Sequence, residues 1–127
     1  MDTDTQTSRR GSLLLQRIAA VTMAAGVSLG AYGAHGLEAD AKGLANWKTA
    51  VLYHLIHGIA LYFLATRPSR TGNNTNGPWW CLFVGILIFS GMLYAIVLTG
   101  VTWLGAIVPI GGLAMIIGWL WLAFTAK

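Results

Sequence analysis

GPWWCLFVGILIFSGMLYAIVLTGVTWLGAIVPIGGLAMIIGWLWLAFTA, residues 77 to 126, decides the fold because it contains no Asp, Glu, Lys, Arg or His. A soluble domain keeps charged side chains on its wet surface, so this composition indicates a membrane protein. One helical crossing of a bilayer takes about 20 apolar residues, and a stretch of this length therefore predicts two crossings. We place the turn between them at Thr99-Gly100-Val101-Thr102.

The overall composition leaves room for one membrane domain. Of the 127 residues, 56% are hydrophobic and 9% are charged, which excludes a separate soluble module. The formal net charge of +4 comes from basic residues scattered at the ends of apolar segments. Because these residues form no basic patch interleaved with aromatic side chains, we expect no nucleic-acid partner. A single cysteine, Cys81, excludes an intramolecular disulfide.

Two more apolar segments precede the opening stretch, and each is long enough to cross a bilayer. The predicted spans are residues 18–34, 44–65, 78–98 and 103–124, within a membrane domain over 13–127. A backbone in lipid must satisfy its own hydrogen bonds, and these segments lack the alternation of barrel strands. The predicted fold class is therefore all-α, an integral membrane four-helix bundle in which sequential helices are antiparallel neighbours.

The N-terminal segment is similar in part to an export signal. Ser8-Arg9-Arg10 followed by Leu13-Leu14-Leu15 resembles a twin-arginine signal. Arg17 interrupts the apolar region, however, and the segment from Ile18 to Ala34 is longer than a typical signal core. We therefore expect the segment to stay in the membrane as the first span. Residues 1–12 are polar and contain Thr and Asp, which predicts a disordered cytoplasmic tail.

The predicted loops carry unequal numbers of basic residues. One side of the membrane receives Arg9, Arg10, Arg17, Arg67, Arg70 and Lys127, and the other receives Lys42 and Lys48. Short loops rich in Lys and Arg are retained in the cytoplasm. The sequence therefore predicts that both termini lie in the cytoplasm and that the loop of residues 35–43 lies outside.

Small residues predict where helices approach closely. Gly30 stands in a four-residue repeat with Gly26 and Ala34, and Gly91 stands four residues before Ala95. Small side chains at this spacing let two backbones pack tightly in lipid. We therefore expect both Gly30 and Gly91 to lie at helix interfaces.

Tryptophan and proline carry two further structural predictions. Indole rings near span ends favour the headgroup zone, and we expect this anchoring role for Trp47, Trp79, Trp80, Trp103 and Trp121. Pro109 lacks a backbone N–H and crowds the preceding turn at Gly105. The fourth span is therefore predicted to be a kinked helix.

The second predicted span carries the most polar membrane face of the chain. Tyr53 and His57 share one face of the helix, and His54 lies beside them. An ionisable group within a span is costly to bury and is a functional candidate by default. The alternative, which we favour, is that neutral imidazoles form hydrogen bonds to Tyr94 or Ser90 of the third span and fix the packing.

The string GAYGAHGL, residues 30–37, predicts how the first helix ends. Its glycines suit a left-handed cap and a tight turn. His35 suits a position beside the last carbonyl groups of the helix, and we favour this capping role over a binding role. The candidate polar cluster of the chain then comprises His35, Tyr53, His54, His57, Ser90 and Tyr94.

The sequence offers weak support for catalysis or cofactor binding. It contains no phosphate-binding glycine loop, nucleophile elbow or paired carboxylates. His54 and His57 project from one helix in similar directions, so together they cannot ligate haem iron from opposite faces. The alternative is that one of them ligates the iron opposite His35 or a residue of another chain. A zinc site would also need His35. We expect no enzyme activity, no cofactor and no metal.

Four ordered motifs resemble the family of uncharacterised small inner-membrane proteins typified by YgdD and YwdK, which share a domain of unknown function with a eukaryotic transmembrane relative. They are GAYGAHGL at 30–37, WKTAVLYHLIHGIAL at 47–61, FSGMLY at 89–94 and LGAIVPIGG at 104–112. The resemblance implies a four-span membrane protein and assigns no catalytic residue. His35 and His57 belong to the shared pattern, whereas family members often carry another polar residue in place of His54.

The leading functional expectation is a non-enzymatic membrane protein with a role in assembly, interaction or membrane homeostasis. Its expected partners are the lipid bilayer and either a second copy of the chain or another membrane protein. One alternative is a small oligomeric transporter or channel whose path is lined by His57, Tyr53 and Ser90. The other is a haem-binding redox anchor that uses His35 or His57.

Overall fold

The computed structural model describes residues 3–67 and 76–125. In this part of the chain the elements are α1 Thr3–His35, α2 Ala41–Thr66, α3 Asn76–Thr99, a 3-10 helix Thr102–Ala106 and α4 Val108–Thr125, with no strand. Four helical segments, the last of them running from Thr102 to Thr125, are long and apolar enough to cross a membrane. The predicted all-α, four-span architecture is confirmed. Arg70 and Lys127, which contribute to the predicted orientation, lie outside the described residues.

Helix α1 begins well before the predicted first span. Residues 3–12, expected from the sequence to be a disordered tail, form its first turns, while Met1 and Asp2 lie outside the described residues. Asp4 in the first turn complements the helix dipole, and the Thr7 hydroxyl donates to the Thr3 carbonyl at 2.9 Å. At about 1.5 Å per residue, 33 residues exceed the ~30 Å hydrocarbon core. The exposed N-terminal turns therefore extend beyond the bilayer.

The end of α1 corrects one prediction. Both Gly36 N–H and Leu37 N–H donate to the Tyr32 carbonyl, at 2.8 and 2.9 Å. Gly100 is the only described residue with a positive φ, so the left-handed cap expected within residues 30–37 is wrong. The helix thus ends with two donors on the Tyr32 carbonyl and without a left-handed residue. The chain then enters α2 through Asp40, whose carboxylate accepts from Gly43 N–H at 2.7 Å.

The fourth span consists of two segments instead of one kinked helix. The turn after α3 lies at Gly100, with φ of 72°, as predicted. A 3-10 helix follows over Thr102–Ala106, and α4 begins at Val108. Pro109 therefore occupies the first turn of α4, where its missing N–H has no helical partner to lose. A continuous α-helix would bring its ring against the carbonyl of Gly105, which explains the break.

Glycine residues determine how closely α1 and α2 pack. Val51 lies over Gly30, at 3.3 Å from the position of an added Cβ, and Leu55 lies over Gly26, at 2.8 Å. The Trp47 indole lies over Gly33, closer than van der Waals contact would allow to a Cβ. Large side chains of α2 thus fill the space that glycines leave along α1, and the prediction for Gly30 is confirmed.

The α3–α4 pair is built in the same way. An added Cβ on Gly111 would collide with the backbone N and Cα of Phe89, and one on Gly85 would collide with Met115. Gly118 faces Leu82, at 2.9 Å from the position of an added Cβ. By contrast, nothing lies within 4 Å of a Cβ on Gly91, so the interface predicted there is wrong. The i, i+4 spacing of small residues does not by itself say which face of a helix meets a neighbour.

The two glycine-packed hairpins, α1–α2 and α3–α4, join along the contact between α2 and α3. We call this contact the central seam. Among the described residues, α1 approaches closely only α2, and no close backbone approach joins α1 to α4. By backbone approach the helices are therefore ordered α1–α2–α3–α4, and side chains of all four, among them Ala19 and Met115, contribute to one buried core.

Candidate functional site

His54 links three helices at the middle of the bundle. Its Nε2 lies 2.8 Å from the Thr22 carbonyl of α1, and its Nδ1 lies 3.0 Å from the Tyr94 hydroxyl of α3. The side chain is buried, with 6% exposed. The interhelical bond to Tyr94 that the sequence predicted for the imidazoles is therefore confirmed for His54.

His57 lies one turn further along α2 and has different partners from those predicted. Its Nδ1 lies 2.8 Å from the Tyr53 carbonyl of its own helix. Its Nε2 accepts a hydrogen bond from the Trp119 indole N–H of α4 at 3.0 Å. The expected contact with Ser90 or Tyr94 is wrong because the imidazole turns towards α4 instead of α3. Trp119 was missed by sequence reasoning, although an indole N–H in mid-span needs an acceptor.

The partners of the two histidines fix their tautomers. An indole N–H only donates, so Nε2 of His57 carries a lone pair and Nδ1 carries the proton that goes to the Tyr53 carbonyl. A carbonyl only accepts, so Nε2 of His54 carries the proton and Nδ1 accepts from Tyr94. Both rings thus satisfy both nitrogens as neutral imidazoles. A metal or haem iron would have to displace one of these hydrogen bonds to gain a lone pair.

Ser90 and Tyr53 have different partners. Ser90 is 1% exposed, and its hydroxyl donates to the Ala50 carbonyl of α2 at 2.7 Å. Tyr53 is 39% exposed; its ring stacks on His57 and tilts against Phe89 at 4.7 Å between centroids. The predicted cluster is therefore a set of separate pairings across helix interfaces.

His35 is separate from the other members of the predicted cluster. It is the last residue of α1, about 20 Å along the helix from Thr22, which binds His54. Its side chain is exposed and forms no hydrogen bond with any described residue, so the expected capping contact is not present. Elsewhere in the described chain, no three His, Cys, Asp or Glu side chains come together as a metal site.

Two tryptophans expected to be headgroup anchors are instead buried connectors. Trp47 is 2% exposed and donates its indole N–H to the Leu29 carbonyl at 2.8 Å. Trp79 is 1% exposed and donates to the Leu61 carbonyl at 3.0 Å. Each indole reaches back to the preceding helix, so the anchor prediction is wrong for both. The exposed Trp80, Trp103 and Trp121 are free to serve as anchors.

Hydrogen bonding at these interfaces is complete. Every buried side-chain nitrogen or oxygen in the described residues has a hydrogen-bond partner. In lipid such bonds join helices because water is absent, and each contributes about 0.6 to 2 kcal/mol. The arrangement is suited chemically to holding the α2–α3 and α2–α4 contacts in one register.

The comparisons with known proteins agree with the four-motif resemblance. Residues 29–112 match the family model described as "Protein of unknown function (DUF423)". A UPF0382 membrane protein of Bacillus subtilis, YwdK, is 42% identical over 114 residues, which cover 86% of this chain and 92% of the relative. A UPF0382 membrane protein of Staphylococcus haemolyticus is 45% identical over 101 residues, covering 78% and 83%. No solved structure matches.

Proposed function

We propose a role for this chain from one premise: it belongs to the DUF423 family of membrane proteins. The proposed role is non-enzymatic: assembly, interaction or membrane homeostasis. The observation that carries the proposal is that the intramembrane polar groups bind neighbouring helices. His54 and Ser90 form their hydrogen bonds with other helices, and His57 bonds to Trp119 of α4 and to the Tyr53 carbonyl of α2. Such a site favours a fixed scaffold over a reaction centre.

The exposed apolar faces of α1 and α4 support an interaction role. Helix α4 presents large apolar side chains on its outer surface, among them Ile116 at 56% exposed and Leu120 at 52% exposed. Helix α1 presents Val21 and Val27 in the same way, at 69% and 60% exposed. In a membrane these faces meet either lipid or another protein. We propose the bilayer and a second copy or another membrane protein as the partners, with no nucleic-acid partner.

Site-specific photocrosslinking in native membranes tests this proposal. A photoreactive residue at Leu120 or Val27 is expected to give a discrete crosslinked product in native membranes. The same residue at Ile86, which is 2% exposed, is the control and is expected to give none. Lipid adducts alone at both outward positions would contradict a protein partner.

Two further measurements separate the proposal from its rivals. A transporter would give a solute flux in proteoliposomes that rises with protein concentration. A haem anchor would give a Soret band in the purified protein, with His35 or His57 as the axial ligand. Either result would replace the assembly role proposed above.

We also propose the inner membrane as the location, with both termini in the cytoplasm. The support for the inner membrane is the family resemblance, and the support for the orientation is the six-to-two distribution of Lys and Arg between the two sides. A contact at one end of the bundle agrees with placing the N-terminal part of α1 and the end of α2 on the same side: Ser12 donates to the Ala65 carbonyl at 2.7 Å. A phosphatase fused after Lys127 is expected to be inactive, whereas one inserted near Asp40 is expected to be active. The opposite pair of results would reverse the orientation.

A further inference from the structure

A groove of about 320 Å³ runs along the outer side of the α1–α2 contact, near the loop that joins these helices. One wall is α1 at Gly30, Gly33 and Ala34. The other wall is the stripe of α2 residues Leu44, Lys48, Val51, Leu52 and Leu55, with Trp47 at the contact itself. The groove exists because the α1 wall carries small side chains or none. It opens outward, since Leu52 is 55% exposed.

Lys48 is the one charged residue that lines the groove. It lies four residues inside the predicted second span, or about 6 Å along the helix axis. A lysine at this depth extends its methylene stem along apolar surface and turns its ammonium group towards the headgroups. No described carboxylate forms an ion pair with it. The ammonium therefore lacks an ion-pair partner among the described residues.

We propose that this groove binds one anionic phospholipid, with an acyl chain along its apolar walls and the phosphate on Lys48. A volume of about 320 Å³ lies at the lower end of ligand sites, which suits one chain better than a whole lipid. A second copy of the protein would press apolar side chains against an unpaired ammonium group. A phospholipid supplies the apolar filling and the negative charge together. This inference does not rest on the proposed assembly role.

The test is native mass spectrometry of the purified full chain with phosphatidylglycerol and phosphatidylcholine supplied in equal amounts. The protein is expected to retain phosphatidylglycerol in preference. Lys48→Gln is expected to lower that retention about fivefold, because one lysine near the membrane surface contributes about 1 kcal/mol of attraction to anionic lipid. Lys48→Arg keeps the charge and is expected to retain the lipid.

Two matched variants locate the binding. Lys42→Gln removes the other lysine at this end of the bundle, which does not line the groove, and is expected to leave retention unchanged. Ala34→Leu fills the α1 wall and is expected to lower retention while keeping the parental melting temperature. Equal retention of the two lipids, an equal loss in Lys42→Gln, or full retention by a folded Ala34→Leu variant would overturn the proposal. A protein dimer without bound lipid would also overturn it.

Discussion

The α3–α4 hairpin and the central seam hold their helices together by different physical means. Lipid gives no hydrophobic driving force between helices, so they must associate through close packing or hydrogen bonds. In the α3–α4 hairpin, Gly111 lets the backbone of Phe89 approach to a distance that no Cβ permits. In the central seam, Ser90 and Tyr94 donate hydrogen bonds to α2. The α3–α4 hairpin therefore depends on shape, and the seam depends on polar pairing. The α1–α2 hairpin combines both, because Trp47 and His54 also form hydrogen bonds to α1 carbonyl groups.

This difference predicts two kinds of response to substitution. A side chain added where two backbones touch has no low-energy place to go, so the cost is steep. Removing one seam hydrogen bond leaves the helices in position and costs only that bond. The following substitutions test this distinction in order of decreasing effect.

Gly111→Ala is expected to have the largest effect, because its Cβ would meet backbone atoms of Phe89. We expect a loss of about 3 kcal/mol in the free energy of unfolding in detergent, the upper part of the usual range for overpacking. Gly112→Ala is the matched control, since its Cβ would lie 3.6 Å from the Phe89 ring, an ordinary contact. Equal stability of the two variants, measured by denaturant titration, would break the steric account of the hairpin.

Gly33→Ala tests the other hairpin. The added Cβ would meet the Trp47 indole, a side chain that can shift only by weakening its bond to the Leu29 carbonyl. We expect a loss of about 2 kcal/mol, within the range for overpacked cores. Gly91→Ala meets nothing within 4 Å and is expected to leave stability unchanged or raise it by up to about 1 kcal/mol. A Gly91 variant as unstable as the Gly33 variant would show that helix position, not the close contact, sets the cost.

The glycine contacts also indicate which features of the fold can be predicted from the sequence. The four spans and the turn at Gly100 follow from length, composition and the absence of charge. The spacing of small residues identified Gly30 correctly and Gly91 incorrectly, because spacing gives a face of one helix without identifying the face that meets a neighbour. The same limit explains why the partner helix of His57 was predicted wrongly. Their burial and their hydrogen bonding were predictable from an apolar span, but which helix supplies each partner depends on rotation about the axis of α2.

Trp119→Phe measures the polar link between α2 and α4. The change keeps an aromatic ring and removes the N–H that binds His57 Nε2. We expect a loss of about 1 kcal/mol, since one buried acceptor loses its partner. Trp103→Phe is the control, because Trp103 is 67% exposed. Thermal unfolding in detergent distinguishes them, and an equal shift in both would show that loss of indole area outweighs loss of the hydrogen bond.

His57→Gln and His57→Leu sharpen that result. Glutamine retains a side-chain acceptor for the Trp119 N–H and is expected to keep most of the stability, whereas leucine is expected to lose about 1 kcal/mol. Equal stability of the two variants, together with loss of a cellular phenotype in both, would favour a proton-relay or metal role for His57 over the structural one.

Ser90→Ala is expected to have the smallest effect. It removes one hydrogen bond from Ser90 to the Ala50 carbonyl and retains nearly the same volume. Interhelical bonds of this kind average about 0.6 kcal/mol in membrane proteins. The measurement is the unfolding free energy beside that of Ser28→Ala, whose hydroxyl is exposed and bonds within α1. A loss above about 2 kcal/mol, more than interhelical bonds reach, would place the seam in the same class as the hairpins.

A double-mutant cycle between His54 and Tyr94 tests the central claim most directly, because their bond crosses the central seam at 3.0 Å. Tyr94→Phe removes the hydroxyl and keeps the ring against Trp47, and His54→Leu removes the acceptor. If the seam is held by polar pairing, the two substitutions are expected to couple by about 1 kcal/mol in the free energy of unfolding. Additivity within about 0.3 kcal/mol would contradict the account, since independent sites add to that accuracy.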